Sequence, residues 1–272
     1  MKLETLVQLS LEEDLGNGDI TTNACIDPQA KSSGWIEARE PLVVSGLLAA
    51  AEVFRQVGVA FEPLVSDGAR VVSKQKIATI SGSSRAILSG ERLALNFLMK
   101  LCGIATNTAV SVDAAEGLLR VVDTRKTTPL LRSLEKAAVA HGGGGNHRFA
   151  LYDGVMIKDN HIIAAGGIAQ AVKACRDRVH HLVKIEVEVD TIEQLHIALD
   201  AGADVILLDN MKNEQLQEAV GIIDGQAYIE ASGNMTPARI AEIKGFGLDC
   251  VSVGGLIHQA TWADLALELS AE

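Results

Sequence analysis

Aromatic residues are scarce in this chain. Two Trp, two Tyr and five Phe make up 3% of its 272 residues, although 48% are hydrophobic. The core must therefore be built from Val, Ile, Leu and Ala, a composition suited to strands alternating with helices. Cysteine is also sparse. Cys25, Cys102, Cys175 and Cys250 stand singly, so no CxxC zinc pattern is present and reduced thiols are expected. Neither GxGxxG nor GxxxxGK[ST] occurs, which weakens the open nucleotide-binding folds. No apolar run approaches the roughly 18–20 residues of a membrane span. The acidic start, MKLETLVQLSLEEDLGNGD, lacks the hydrophobic core of a signal peptide, so a cytoplasmic location is expected. Positive charge is in deficit too: a formal net charge of −11 argues against nucleic acid or an anionic membrane as partner.

Against that deficit, one segment is basic. From Arg125 to Lys158 there are six basic residues (Arg125, Lys126, Arg132, Lys136, Arg148, Lys158) and two acids (Glu135, Asp153). Such a cluster in an acidic chain suggests a small-anion site, with a solvated basic face as the alternative.

The second half repeats a unit. LLRVVDT, GVMIKD, LVKIEVEV, DVILLDN, AYIEAS and CVSVGG are short apolar runs, the last four at intervals of some 21 to 24 residues. Amphipathic segments such as GGIAQAVKACRDRV and TIEQLHIALDAG lie between them. This alternation predicts a parallel sheet covered by helices, and six such units favour a β/α barrel. The first hundred residues read instead as antiparallel strands with helices at about 47–57 and through SRAILSGERLALNFLMKLCG. The expected fold is thus α/β: a small α+β sandwich domain, 1–101, followed by a β/α barrel, 102–272, whose last residues are free to pack on either. In the second helix Arg92 sits among residues apolar nearly all round, which predicts a buried arginine in need of a partner.

Barrels place their chemistry at the carboxyl ends of the strands. There the chain carries Arg125 and Lys126, Lys158 and Asp159, Glu186 and Glu188, Asp209 and Asn210, then Ser232, Gly233, Gly254 and Gly255. Thr128 and Pro129 predict a helix from Pro129 to about Ala140, with Gly142 as its C-terminal glycine. The rest of the run AHGGGGNHR would let backbone turn tightly beside a ligand and aim His147 and Arg148 at it. Arginine forks and lysines match carboxylates and phosphates, and His147 suits a carboxylate contact or a proton transfer. Glu186 and Glu188 share one side of their strand. Either they meet cations in internal ion pairs, or an acid there holds Mg2+ together with substrate oxygens. The EASGNMTP and VSVGGLIH loops suggest a phosphate grip.

Taken in order, EDLGNGDITT, SGERLALNFL, DTRKTTPLLRSLEKAAVAHGGGGNHR, IKDNH, EVEVDT, LLDN, EASGN and VSVGG resemble the quinolinate phosphoribosyltransferase family over essentially the whole chain. The resemblance implies a sandwich domain followed by an incomplete barrel of about seven strands. It implies a homodimer in which one subunit's amino-terminal domain covers the other's barrel mouth, so that Arg92 acts in trans. It also implies quinolinate and 5-phosphoribosyl-1-pyrophosphate as substrates and nicotinate mononucleotide, pyrophosphate and CO2 as products, with Mg2+ as cofactor, in NAD biosynthesis. By the same resemblance Arg92, Arg125, Lys126, His147, Arg148 and Lys158 surround the dicarboxylate and the pyrophosphate. Glu188 and Asp209 serve Mg2+ and the ribose diphosphate, and Lys126, Lys158, Glu188 and Asp209 form the catalytic set. Ser232, Gly233, Asn234, Gly254 and Gly255 correspond to the 5′-phosphate loops. Relatives often have Gly where Asn234 stands, and Asn also tolerates left-handed backbone. The competing readings are transfer to nicotinate, a Mg2+-dependent barrel lyase or synthase, and a metabolite sensor without turnover.

Overall fold

The structure, a computed structural model, describes residues 1–270. It contains two compact units. The first comprises Met1–Ala109, Thr127–Gly143 and the residues from Ile257 onward, and the second Val110–Lys126 and Gly144–Leu256. The boundary expected between 101 and 102 falls inside one continuous helix.

In the first unit α1 (Leu3–Leu15), α2 (Ile20–Cys25), β1 (Lys31–Ala38), β2 (Leu42–Val43), α3 (Leu47–Gln56), β3 (Ala60–Pro63), β4 (Arg70–Val71), β5 (Lys76–Ser83) and α4 (Ser84–Ala115) follow in order, the end of α4 from Val110 belonging to the second unit. Asp19 caps α2 by accepting the Thr22 N–H at 3.0 Å. In β1 the later residues alternate between buried and half-buried, the period of a sheet with one covered face. The antiparallel sheet runs from the C-terminal strand (Leu265–Leu269) through β1 and β5 to β3. Its core joins Ile36, Ile77 and Ile80 to Val53 and Phe54 of α3 and to Ile87 and Leu98 of α4.

At 32 residues α4 is longer than the sequence suggested. Gly103 does not end it: a Cβ there would lie 2.0 Å from the Thr261 carbonyl oxygen, so glycine permits a close backbone approach. The helix is long and apolar enough to cross a bilayer, contrary to the expectation that no such segment exists. Two-thirds of its most apolar stretch is nevertheless buried inside the protein. Arg92 corrects a second expectation. Leu93, Ala94, Leu95, Phe97 and Leu98 are buried around it, but Arg92 itself is exposed.

The helix expected from Pro129 begins later, as α5 (Arg132–His141). Leu130 takes a left-handed φ of +68° and the Leu131 N–H closes a turn on the Thr128 carbonyl at 3.1 Å. The Thr128 N–H goes instead to the buried Glu135 carboxylate at 2.8 Å.

The second unit is a parallel sheet with helices between its strands: β6 (Arg120–Val122), β7 (Val155–Ile157), α6 (Asp159–Ala165), α7 (Ile168–Arg176), β8 (Ile185–Val189), α8 (Ile192–Asp200), β9 (Val205–Asp209), α9 (Asn213–Ile223), β10 (Tyr228–Ser232), α10 (Pro237–Ile243), β11 (Cys250–Ser252) and α11 (Gly255–His258). The strand order is β6-β11-β10-β9-β8-β7, all neighbours parallel. The α/β class is as expected, but the parallel sheet has six strands where about seven were implied. Thr191 and Thr236 cap α8 and α10 at 3.2 Å, and Pro237 opens the latter.

The four glycines divide their labour. Gly142 ends α5 as expected, at φ −76°; a Cβ there would lie 2.4 Å from the Ala105 carbonyl oxygen. The left-handed residue is Gly143, at φ +86°. Gly145 forms a parallel bridge with Val122, its N–H bonded to the Val121 carbonyl at 2.7 Å, and so lies along the free edge of β6. A Cβ at Gly145 would come 2.7 Å from Arg120 Nε.

Candidate active site

Period-two alternation points the same side chains inward on successive strands. Within the barrel unit the strands, and the loops after β6 and before β7, bring Thr124, Arg125, Lys126, His147, Arg148, Met156, Lys158, Leu207, Glu230, Ser232 and Ser252 around one cavity of about 340 Å³. Arg125, Lys126, Arg148 and Lys158 thus line one cavity, and Met156 and Leu207 give it an apolar wall.

The cations are crowded. Burial, followed by the neighbouring Arg125, pushes the Arg148 guanidinium below its ordinary pKa. Arg125 Nε is buried with no hydrogen-bond partner. Arg148 Nη1 donates to the Gly154 carbonyl at 2.7 Å, and the Lys158 ammonium pairs with the Glu188 carboxylate. A buried donor without an acceptor is costly, and like charges held together destabilise one another. An anion with several acceptor oxygens relieves both.

Glu188 and Asp209 end neighbouring strands, with Glu188 opposite Leu207. Asp209 accepts from the Asn210 side chain at 2.6 Å. Two carboxylates of this kind offer only oxygen donors, the set Mg2+ takes when substrate oxygens complete its shell. The Lys158 ammonium holds Glu188. Gly233 (φ +98°) and Asn234 (φ +47°) are both left-handed, and a Cβ on Gly233 would lie 2.2 Å from Asn210 Oδ1. Gly254 precedes α11, and Gly255 opens it. Arg92, in the first unit, is exposed.

Three acids escaped the sequence reading in whole or in part. Asp123, fully buried just beyond β6, accepts the His147 N–H and the Asn146 side-chain amide, each at 2.8 Å. Glu230 on β10 was missed; Glu186 on β8 was expected to meet a lysine, an arginine or Mg2+, and its partner is a histidine. His147 Nε2 lies 3.4 Å from a carboxylate oxygen of each. Their signal was the alternation already used for Glu188: Glu186 and Glu230 each stand two residues before an inward-facing strand end.

The His147 ring is pulled two ways. Burial disfavours its charge, but hydrogen bonds to Glu186 and Glu230 outweigh burial and lift its pKa to about 9. The Arg148 N–H meanwhile donates to Nδ1 at 2.7 Å, which asks for a bare nitrogen there. Nε2, facing the two carboxylates, carries a hydrogen in either state.

Two family models cover nearly all of this architecture: the quinolinate phosphoribosyl transferase N-terminal domain matches residues 19–102 and the C-terminal domain residues 104–268. The chain belongs to the quinolinate phosphoribosyltransferase family. The probable nicotinate-nucleotide pyrophosphorylase [carboxylating] of Methanocaldococcus jannaschii is 40% identical, over 97% of this chain and 96% of the relative. Its Bacillus subtilis counterpart is 38% identical over 99% and 94%. The crystal structure of the nicotinate-nucleotide pyrophosphorylase from Ehrlichia chaffeensis superimposes with a TM-score of 0.94 at 35% identity, covering 99% of both chains. Family membership makes the cationic cavity the natural place to look for a pyridine dicarboxylate.

Proposed function

We propose that the chain transfers a phosphoribosyl group from 5-phosphoribosyl-1-pyrophosphate to the ring nitrogen of quinolinate, releasing pyrophosphate, and that CO2 then leaves to give nicotinate mononucleotide for NAD biosynthesis. The observation that carries this reading is the buried, partnerless Arg125 Nε beside a crowded Arg148 guanidinium in a cavity with an apolar wall. One carboxylate does not use four cations; two carboxylates and a diphosphate do.

In this reading Arg125 and Arg148 grip the dicarboxylate, and Met156 and Leu207 face its ring. Lys126 and Lys158 neutralise the charge that builds on the departing pyrophosphate oxygens. Glu188 and Asp209 are the residues that would hold Mg2+, which when bound supplies Lewis-acid stabilisation of that same leaving group. Their charge also favours the positive ribose carbon that forms as pyrophosphate leaves. Ser232, Gly233, Asn234, Gly254 and Gly255 hold the 5′-phosphate through backbone N–H groups. Catalysis here is positioning and charge neutralisation, without a covalent nucleophile. We further propose a cytoplasmic homodimer, with Arg92 of each subunit completing the partner's site.

The deciding experiment supplies the purified chain with Mg2+, 5-phosphoribosyl-1-pyrophosphate and carboxyl-labelled quinolinate, or nicotinate in a parallel reaction. CO2 and mononucleotide are expected from quinolinate. Turnover of nicotinate with no CO2 from quinolinate would replace this reading by transfer to the monocarboxylate.

A further inference from the structure

The arginines of the proposed dicarboxylate site come from two stretches of chain whose charges repel. Arg125 follows β6 and Arg148 follows the glycine run, and the first is close enough to lower the pKa of the second. Something must hold the two stretches together. The backbone begins the task. The Gly145 N–H donates to the Val121 carbonyl at 2.7 Å, and the Asp123 N–H donates to the Gly145 carbonyl at 3.1 Å. A Cβ on Gly145 would lie 3.1 Å from Val122 Cγ1, so glycine allows this close approach. The pairing is an isolated bridge of Val122 with Gly145. Past it the Asp123 side chain takes over: Oδ1 accepts the His147 N–H and Oδ2 the Asn146 side-chain amide, each at 2.8 Å. Asp123 is fully buried, and neither it nor Asn146 is among the residues that line the cavity.

We propose that Asp123 is a positioning residue whose carboxylate extends the pairing of β6 to Asn146 and His147, and so holds the side chains of His147 and Arg148 beside Arg125 for the dicarboxylate. This rests on the reading of the cavity as a quinolinate site. One carboxylate oxygen serves a backbone N–H and the other a side-chain N–H. An amide at position 123 keeps the first contact but turns its own NH2 against that of Asn146. A buried donor facing a donor is worse than a bond merely lost. Cations fixed in place before the substrate arrives need no ordering when it binds, which is how a buried tether raises affinity without touching the ligand.

Exchanging the two side chains tests the lock. Asp123→Asn sets donor against donor, and Asn146→Asp sets acceptor against acceptor. Each should raise the KM for quinolinate about tenfold, with the KM for 5-phosphoribosyl-1-pyrophosphate unchanged. The double variant Asp123→Asn/Asn146→Asp again faces a donor with an acceptor, and its KM should return to within about threefold of wild type. Losses that multiply to about a hundredfold, or equal rises in both KM values, would overturn the proposal. A second arm needs no turnover. In the full-length protein, Asp123→Ala removes both acceptors and should quicken amide hydrogen exchange over residues 144–148, while the double variant should not. Exchange that quickens evenly through the sheet would make Asp123 a general prop, and unchanged exchange would mean that the segment is held by other contacts; either result overturns the lock. If the wild type released no CO2 from quinolinate, the reading of the cavity would fail, while exchange would still decide the lock.

Discussion

The cavity is assembled from residues whose own surroundings leave them few choices. Arg125 keeps a buried Nε without a partner, Lys158 takes up Glu188, and Arg148 is tethered at both its backbone and its guanidinium. Glycine is equally constrained at position 233. Its φ of +98° disfavours any side chain, and the nearest backbone atom to a new Cβ, Asn210 N, would be only 2.9 Å away. Gly233→Ala must therefore displace both its own loop and the turn at Asn210, itself left-handed at φ +54°. If this loop holds the 5′-phosphate, the KM for 5-phosphoribosyl-1-pyrophosphate rises about tenfold and that for quinolinate stays put. Steady-state titration of each substrate separates the two. A rise confined to quinolinate would remove the loop from the phosphate site.

At the scale of the element, legibility followed the strength of the local signal. The parallel strands could be read because each is a continuous apolar run, and the caps of α8 and α10 because a threonine precedes each helix. The start of α5 misled because Thr128–Pro129 is a good local signal that a distant carboxylate overrides: Glu135 reaches back to the Thr128 N–H. Gly103 misled because a glycine required by a neighbouring backbone looks the same in sequence as one that ends a helix. Asp123 and Glu230 stayed hidden because a single acid in an apolar strand announces a partner without naming it. Glu135 has a further bond. Lys100 Nζ approaches its other oxygen at 3.1 Å, as an ion pair outside hydrogen-bond alignment. Removing one partner of a buried ion pair leaves the other charge uncompensated, so Glu135→Ala should destabilise the chain by about 3 kcal/mol or more. Urea unfolding measures this directly. A loss no larger than that of an exposed surface pair would mean that Lys100 finds water once the carboxylate is gone.

At the scale of the whole molecule, the position of Arg92 bears on assembly. An arginine on an apolar helix was expected to be buried with a partner, whether an internal carboxylate, a ligand or a group across a subunit interface, but it is exposed. Exposure is what a residue serving a second subunit requires, and it supports the proposed dimer without deciding it. Complementation decides. Arg92→Ala and Lys158→Ala homodimers each lack one essential cation in both sites and should be inactive. When subunits exchange in an equal mixture, half the dimers pair the two variants, and each such dimer has one site with both cations and one with neither. About a quarter of wild-type activity should return, the fraction set by random pairing in a twofold assembly. Recovery must track the rate of subunit exchange, which energy transfer between labelled subunits follows independently. Exchange without recovery would place Arg92 outside the partner's site and leave the dicarboxylate to Arg125 and Arg148 alone.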